Sequence, residues 1–164
     1  MSFQFLPGDV LLYGASKLGI RTTRTATYLG ISKAGGHLIL DSAMFGGAKI
    51  REFADPASRP GFTLTKIARI ANERLPERWH EVASRYNGRG FGYLTSLHLL
   101  LQRVPGLRSI PMKSSKGVTS AEVCQLVAAE VTYLKFEKDA KLAEPSDFLM
   151  APWVVSGLVM DVTA

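Results

Sequence analysis

A change of hydrophobic period near residue 60 constrains this chain more than any other feature. Before "DPASRPG" (55–61), apolar residues alternate in short runs separated by glycine turns; after it they recur every three or four residues. "FLPGDVLLYG" gives a loop at Pro7-Gly8-Asp9 and then an apolar strand from Val10 to Tyr13. "ATYLGIS" sets Tyr28, Gly30 and Ser32 against Leu29 and Ile31. "KAGG" turns the chain into "HLILDSAM", and "FGG" turns it into "AKIREF". These runs predict a meander of short antiparallel strands. Residues 15–25, small and basic, read as a short helix or an ordered loop.

From Thr63 onward, Leu64, Ile67, Ala68, Ala71 and Leu75 fall on one helical stripe. Pro76 interrupts, and "ERWHEVASRY" continues as a second helix. After the glycine-rich "NGRGFG", "YLTSLHLLLQRV" reads as a buried helix, followed by a polar loop over 105–117. A helix from about 119 to 136 places Val123, Leu126, Val127, Val131 and Leu134 on one face. Ser146 is the expected N-cap of a short helix in "EPSDFLMAPW", ended near Pro152, and "VVSGLVMDV" closes the chain as a strand. The predicted class is α+β over residues 1–164 as one domain: a small antiparallel sheet packed against helices.

Composition narrows the function. With 46% apolar and 21% charged residues, the chain can bury a core. It has no apolar run of the ~18 residues a membrane span requires, and its N-terminus lacks a signal-peptide pattern; together these point to the cytoplasm. One cysteine allows no internal disulfide and no cysteine-rich zinc site. His37, His80 and His98 form no spaced ligand motif, so no metal and no cofactor are expected. The net charge of +6 permits contact with polyanions, but Arg and Lys are scattered and no RNP-type motif or basic helix occurs. A basic nucleic-acid-binding accessory protein is therefore the least favoured reading.

Four stretches in this order carry a family resemblance: "PGDVLLY"; "TYLGIS" with "HLILDSAMFGGAKIREF"; "YNGRGFGYLTSL"; and "VTSAEVCQLV" followed by "EPSDFLMAPW". Together they span most of residues 7–153. They resemble the circularly permuted branch of the NlpC/P60 papain-like superfamily, the YiiX-like and LRAT-like proteins. The resemblance implies a permuted papain-like fold. It also implies attack of a cysteine thiolate on an amide, ester or thioester, with a strand histidine as base and a polar residue on the next strand orienting it.

Laid on "SAEVC", the nucleophile position is Ser120, Glu122 matches the motif's glutamate, and Cys124 falls one turn too late. The base position holds Tyr28 and the orienting position Asp41. A hairpin through "KAGG" also predicts Ser32 facing His37, Gly30 facing Ile39 and Tyr28 facing Asp41. His37 shares a strand face with Asp41 but sits roughly 13 Å from it, too far to serve as the base. Tyr93, Glu122 and Cys124 are the further candidates for contact with a ligand.

A phenol with a pKa near 10 is only about one part in a thousand ionised at pH 7, and an adjacent carboxylate suppresses ionisation further. Ser120, Tyr28 and Asp41 are thus a poor copy of a Cys–His–Asp site. The expectation is a degenerate domain that binds a peptide, a cell-wall fragment, an acyl group or a protein ligand without efficient turnover. The alternative is an active hydrolase or acyltransferase using Ser120 or Cys124. The plainer readings are that Ser120 caps its helix, Cys124 is core packing, and Glu122 is a first-turn acid favoured by the helix dipole.

Overall fold

The computed structural model describes residues 4–15, 20–70, 76–101, 105, 116–133, 136, 138–149 and 154–161. Its elements are β1 (Val10–Ala15), β2 (Ile20–Ile31), β3 (His37–Ala43), β4 (Gly47–Phe53), β5 (Thr63–Ile70), α1 (Pro76–Tyr86), α2 (Tyr93–Leu101), α3 (Ser120–Thr132) and β6 (Val154–Asp161). Two 3₁₀ turns, Ala140–Leu142 and Pro145–Leu149, separate α3 from β6. The six strands form one sheet in the order β4-β3-β2-β1-β5-β6, every pairing antiparallel. The architecture is α+β, as the sequence predicts.

The two faces of the sheet are covered differently. Val10, Leu12, Leu29, Leu40 and Ala68 point to one face and pack with Trp79 and Val82 of α1 and with Val123, Cys124 and Val127 of α3. Leu11, Tyr13, Ala26, Tyr28, Ile39, Leu64 and Ile67 point to the other, where Phe5, Phe53, Ala57 and Phe62 close over them. Strand alternation produces this division. Among the described residues, the second face is thus roofed by the N-terminal segment and the β4–β5 connection.

The Pro7-Gly8-Asp9 loop is fixed by an ion pair. Arg69 donates to both carboxylate oxygens of Asp9 (2.8 and 2.9 Å), and Leu6 N–H donates to the same carboxylate at 2.9 Å. Gly8 has φ +90°, and a Cβ there would run into the Trp79 ring, so both backbone and packing require glycine.

Several expected elements come out differently, for local reasons. The stripe from Thr63 is not a helix but β5. A bulge places Thr65 between the pairs Leu12↔Lys66 and Tyr13↔Leu64. The extra residue lets Leu64 and Ile67, three apart, share a face while Ala68 takes the other, which imitates a helical period. Ala71 and Leu75 of the same stripe lie outside the described residues. The basic stretch after Ala15 is the start of β2 from Ile20 on; residues 16–19 lie outside the described ones.

Pro76 does not interrupt a helix but opens α1 at the first helical position, where its missing N–H costs nothing. α2 is not a buried helix: Tyr93, Leu94, Leu97 and Leu100 are all more than half exposed. α3 stops at Thr132, before the expected 136, because Tyr133 adopts a left-handed conformation (φ 56°). Ser146 lies inside its 3₁₀ turn, and Asp147 instead accepts the Glu144 N–H at 2.7 Å. The expected 105–117 loop falls almost wholly outside the described residues, as do Leu134 and Pro152.

The outer side of β4 is closed by the segment following α1. Ala48 N–H donates to the Arg89 carbonyl and Gly88 N–H to the Ala48 carbonyl, both at 2.7 Å, while the Asn87 side chain accepts from Ile50 N–H at 3.1 Å.

Candidate functional site

The N-terminal end of α3 is built by a capping box. Thr119, extended at ψ 170°, is the N-cap: its hydroxyl accepts the Glu122 N–H (3.2 Å), and the Glu122 carboxylate accepts the Thr119 N–H (3.3 Å). Lys141 Nζ reaches the other Glu122 oxygen at 2.6 Å. Glu122 is 1% exposed, and its carboxylate is engaged at the helix end. The cap is Thr119, one residue earlier than expected, which leaves the Ser120 hydroxyl free of that task.

Ser120 faces a cleft of about 370 Å³ lined also by Arg24, Ser42, Phe62, Phe91 and Glu144. Its Oγ accepts a long hydrogen bond from Thr25 N–H (3.4 Å) on β2, and Ser42 beside it donates to the Val118 carbonyl (2.7 Å). Among the described residues no carboxylate or imidazole is hydrogen-bonded to Ser120. Tyr93 stands at the margin of the cleft, with its ring edge-on to Phe91 at 5.0 Å and its hydroxyl donating to the Met44 carbonyl; it is not among the lining side chains.

Cys124 lies one turn further along the helix, fully buried. Burial pushes its thiol pKa up to about 12, only partly offset by the Thr27 and Thr25 hydroxyls facing it. Those hydroxyls approach the sulfur without forming a well-made hydrogen bond, and neither has another partner. A thiol in this setting is protonated at physiological pH and out of reach of a substrate.

Tyr28 and Asp41 are not the cross-strand pair the hairpin count predicts. The turn closes through Ser32 N–H to Gly36 carbonyl (2.7 Å), so Ile31 rather than Ser32 faces His37. A bulge at Leu29 then shifts the register by one more residue, setting Tyr28 opposite Ile39 and Asp41 opposite Ala26. The two shifts sum to two residues, so Tyr28 and Asp41 still share a face but stand diagonally. That face is the one turned away from α3: Thr25 and Thr27 look toward Cys124, and Ala26 and Tyr28 look the opposite way. Ser120, Tyr28 and Asp41 are not brought together.

Each has other partners instead. The Tyr28 hydroxyl is bonded to His37 Nδ1 at 2.9 Å, with both rings packed against Phe5. Burial, and to a lesser degree the Asp9 charge, raise the Tyr28 pKa. Asp41, with no exposed surface, accepts two bonds from Arg24 (2.9 and 2.8 Å) and one from Arg59, and Arg51 Nε stands 3.9 Å away.

Arg24, Ser42, Arg51 and Arg59 had no functional place in the sequence reading. Arg59 lies in the "DPASRPG" stretch, which signals only a break in pattern, and no local periodicity links it to Asp41. Among the described residues no three His, Cys, Asp or Glu side chains converge as metal ligands, and no helix is long and apolar enough to cross a membrane.

Comparison with family models, curated proteins and solved structures gives no match. The resemblance to permuted NlpC/P60 proteins therefore rests on the quoted stretches and their order. The fold and site define an α+β protein with a cleft at the start of a buried helix.

Proposed function

We propose that this chain is a degenerate permuted NlpC/P60-like domain that binds a peptide, peptidoglycan-derived, acyl or protein ligand in the Ser120 cleft without efficient turnover. One observation carries the proposal: the residue at the family's nucleophile position opens α3 and faces a cleft, yet among the described residues its hydroxyl meets only a backbone N–H. A serine hydroxyl needs a general base to become a nucleophile, and the expected base, Tyr28, sits on the far face of the sheet, hydrogen-bonded to His37. The remaining thiol is buried and protonated.

The runner-up is an active hydrolase or acyltransferase with Ser120 attacking, favoured by its place at a helix N-terminus within the cleft. Incubating the protein with peptidoglycan fragments and with generic peptide, ester and thioester substrates, read by mass spectrometry, separates the two. The binding reading expects no product from the native chain and a saturable response to at least one of these compounds by calorimetry. Turnover that disappears in Ser120→Ala would replace it with the hydrolase.

A further inference from the structure

Beside the cleft, on the other face of the sheet, cations gather around a single acid. Asp41 is wholly buried and is met by Arg24, Arg51 and Arg59, whose side chains are 15%, 35% and 7% exposed. Lys49 lies directly across from Asp41 in the β3–β4 ladder. Lys49 Nζ and Arg51 Nη2 both come within 3.6 Å of where a Cβ on Gly46 would sit. They are therefore within roughly 7 Å of each other, a repulsive distance for like charges.

One carboxylate cannot neutralise this group, nor does it use all the donors. Arg59 Nη1 and Arg51 Nε are both buried with no partner in hydrogen-bonding geometry. The Tyr13 hydroxyl beside Arg59 donates its own proton to the Pro56 carbonyl (3.0 Å). The Arg59 guanidinium is held in place by the Tyr13 and Phe53 rings, 5.3 and 5.5 Å from its carbon. Buried guanidinium donors are normally paired, and fixed planar forks of this kind match the oxygens of a carboxylate or phosphate.

We propose that Arg24, Lys49, Arg51 and Arg59 form a subsite for the oxyanion group of a ligand, with Asp41 as the fixed acid that holds two of the guanidinium groups in position. Lys49 and Arg51 are its most solvent-facing members, and Arg24 also lines the Ser120 cleft. Arg24 is thus the member shared by the subsite and the cleft. The subsite does not depend on the papain-like reading of the cleft.

The test is calorimetric titration of the whole protein with inorganic phosphate and, separately, with acetate, with ionic strength fixed by sodium chloride. Saturable heat with one or both is expected, and the tighter of the two indicates whether the natural group is a phosphate or a carboxylate. Arg51→Gln, which leaves both close arginine contacts to Asp41 intact, should weaken the response at least about tenfold. Arg59→Gln serves as a second variant if its circular dichroism spectrum stays native. Absence of a saturable response to either ion, or an undiminished response in Arg51→Gln, would overturn the proposal. Neither outcome bears on whether the cleft binds a peptide or acyl group, so the two proposals fail separately.

Discussion

Cys124 is where the chemistry of a single side chain argues against one of the two candidate nucleophiles. Its thiol is fully buried and its pKa is pushed up to about 12. At pH 8, iodoacetamide should leave the native protein unlabelled over the time that fully labels it in guanidinium chloride; equal labelling in both states would restore Cys124 as a candidate nucleophile. The same shift sets an alkaline stability limit. Below the ordinary thiol pKa, near 8.5, both folded and unfolded chains hold the proton and stability is unaffected. Between there and about 12 only the unfolded chain releases it, so stability falls as pH rises through this window. Cys124→Ala should show a lower melting temperature throughout, from the cavity it leaves, but a shallower decline from pH 8.5 to 10.5 than the native chain. Parallel declines would mean that the thiol does not titrate differently in the two states.

Among the secondary elements, the bulges at Thr65 and Leu29 decide which sequence expectations hold. The start of β2, small and basic, carries no apolar period to read, but β1, β3, β4 and the helices α1 and α3 are legible because their apolar periods are undisturbed. β5 is not, because the extra residue at Thr65 converts a strand's alternation into a three-residue spacing. The bulge at Leu29 escaped notice for the opposite reason: alternation on either side of it still looks regular, and only pairing with β3 reveals the shift. The helix carrying Ser120 is therefore legible in the sequence, whereas the face that Tyr28 and Asp41 occupy is not. This can be checked by restoring the family residues. Ser120→Cys combined with Tyr28→His should remain without thioesterase or peptidase activity, since the new imidazole would lie across the sheet from the new thiol. Recovery of activity would mean that residue 28 faces α3, contrary to the register described.

Across the whole molecule, the Asp41 cluster links parts of the chain that no local pattern connects. Arg24 comes from β2, Arg51 from β4 and Arg59 from the roof over the second face, all converging on one carboxylate of β3. Asp41→Asn should cost about 3–5 kcal/mol in urea denaturation, the penalty for leaving buried cations without their counter-charge. A loss below about 1 kcal/mol would show that the arginines reach solvent easily and that Asp41 is not their anchor. Such convergence is invisible in sequence because it joins residues up to 35 positions apart through tertiary packing, and the same holds for the Ser42 and Arg24 walls of the cleft.

The segment 87–89 laid along β4 has a consequence for how copies of this protein behave in crowded solution. An open sheet has two borders, and a border with free N–H and C=O groups invites a second molecule to add a strand. On β4 the outward groups of Ala48 and the N–H of Ile50 are already engaged within the chain. Over Ala48 and Ile50 that border is a poor template for polymerisation. Asn87→Ala should cost about 1 kcal/mol in stability while lowering the concentration at which light scattering first detects aggregates. An unchanged onset would assign colloidal protection to the basic side chains of β4 and not to the strap beside it.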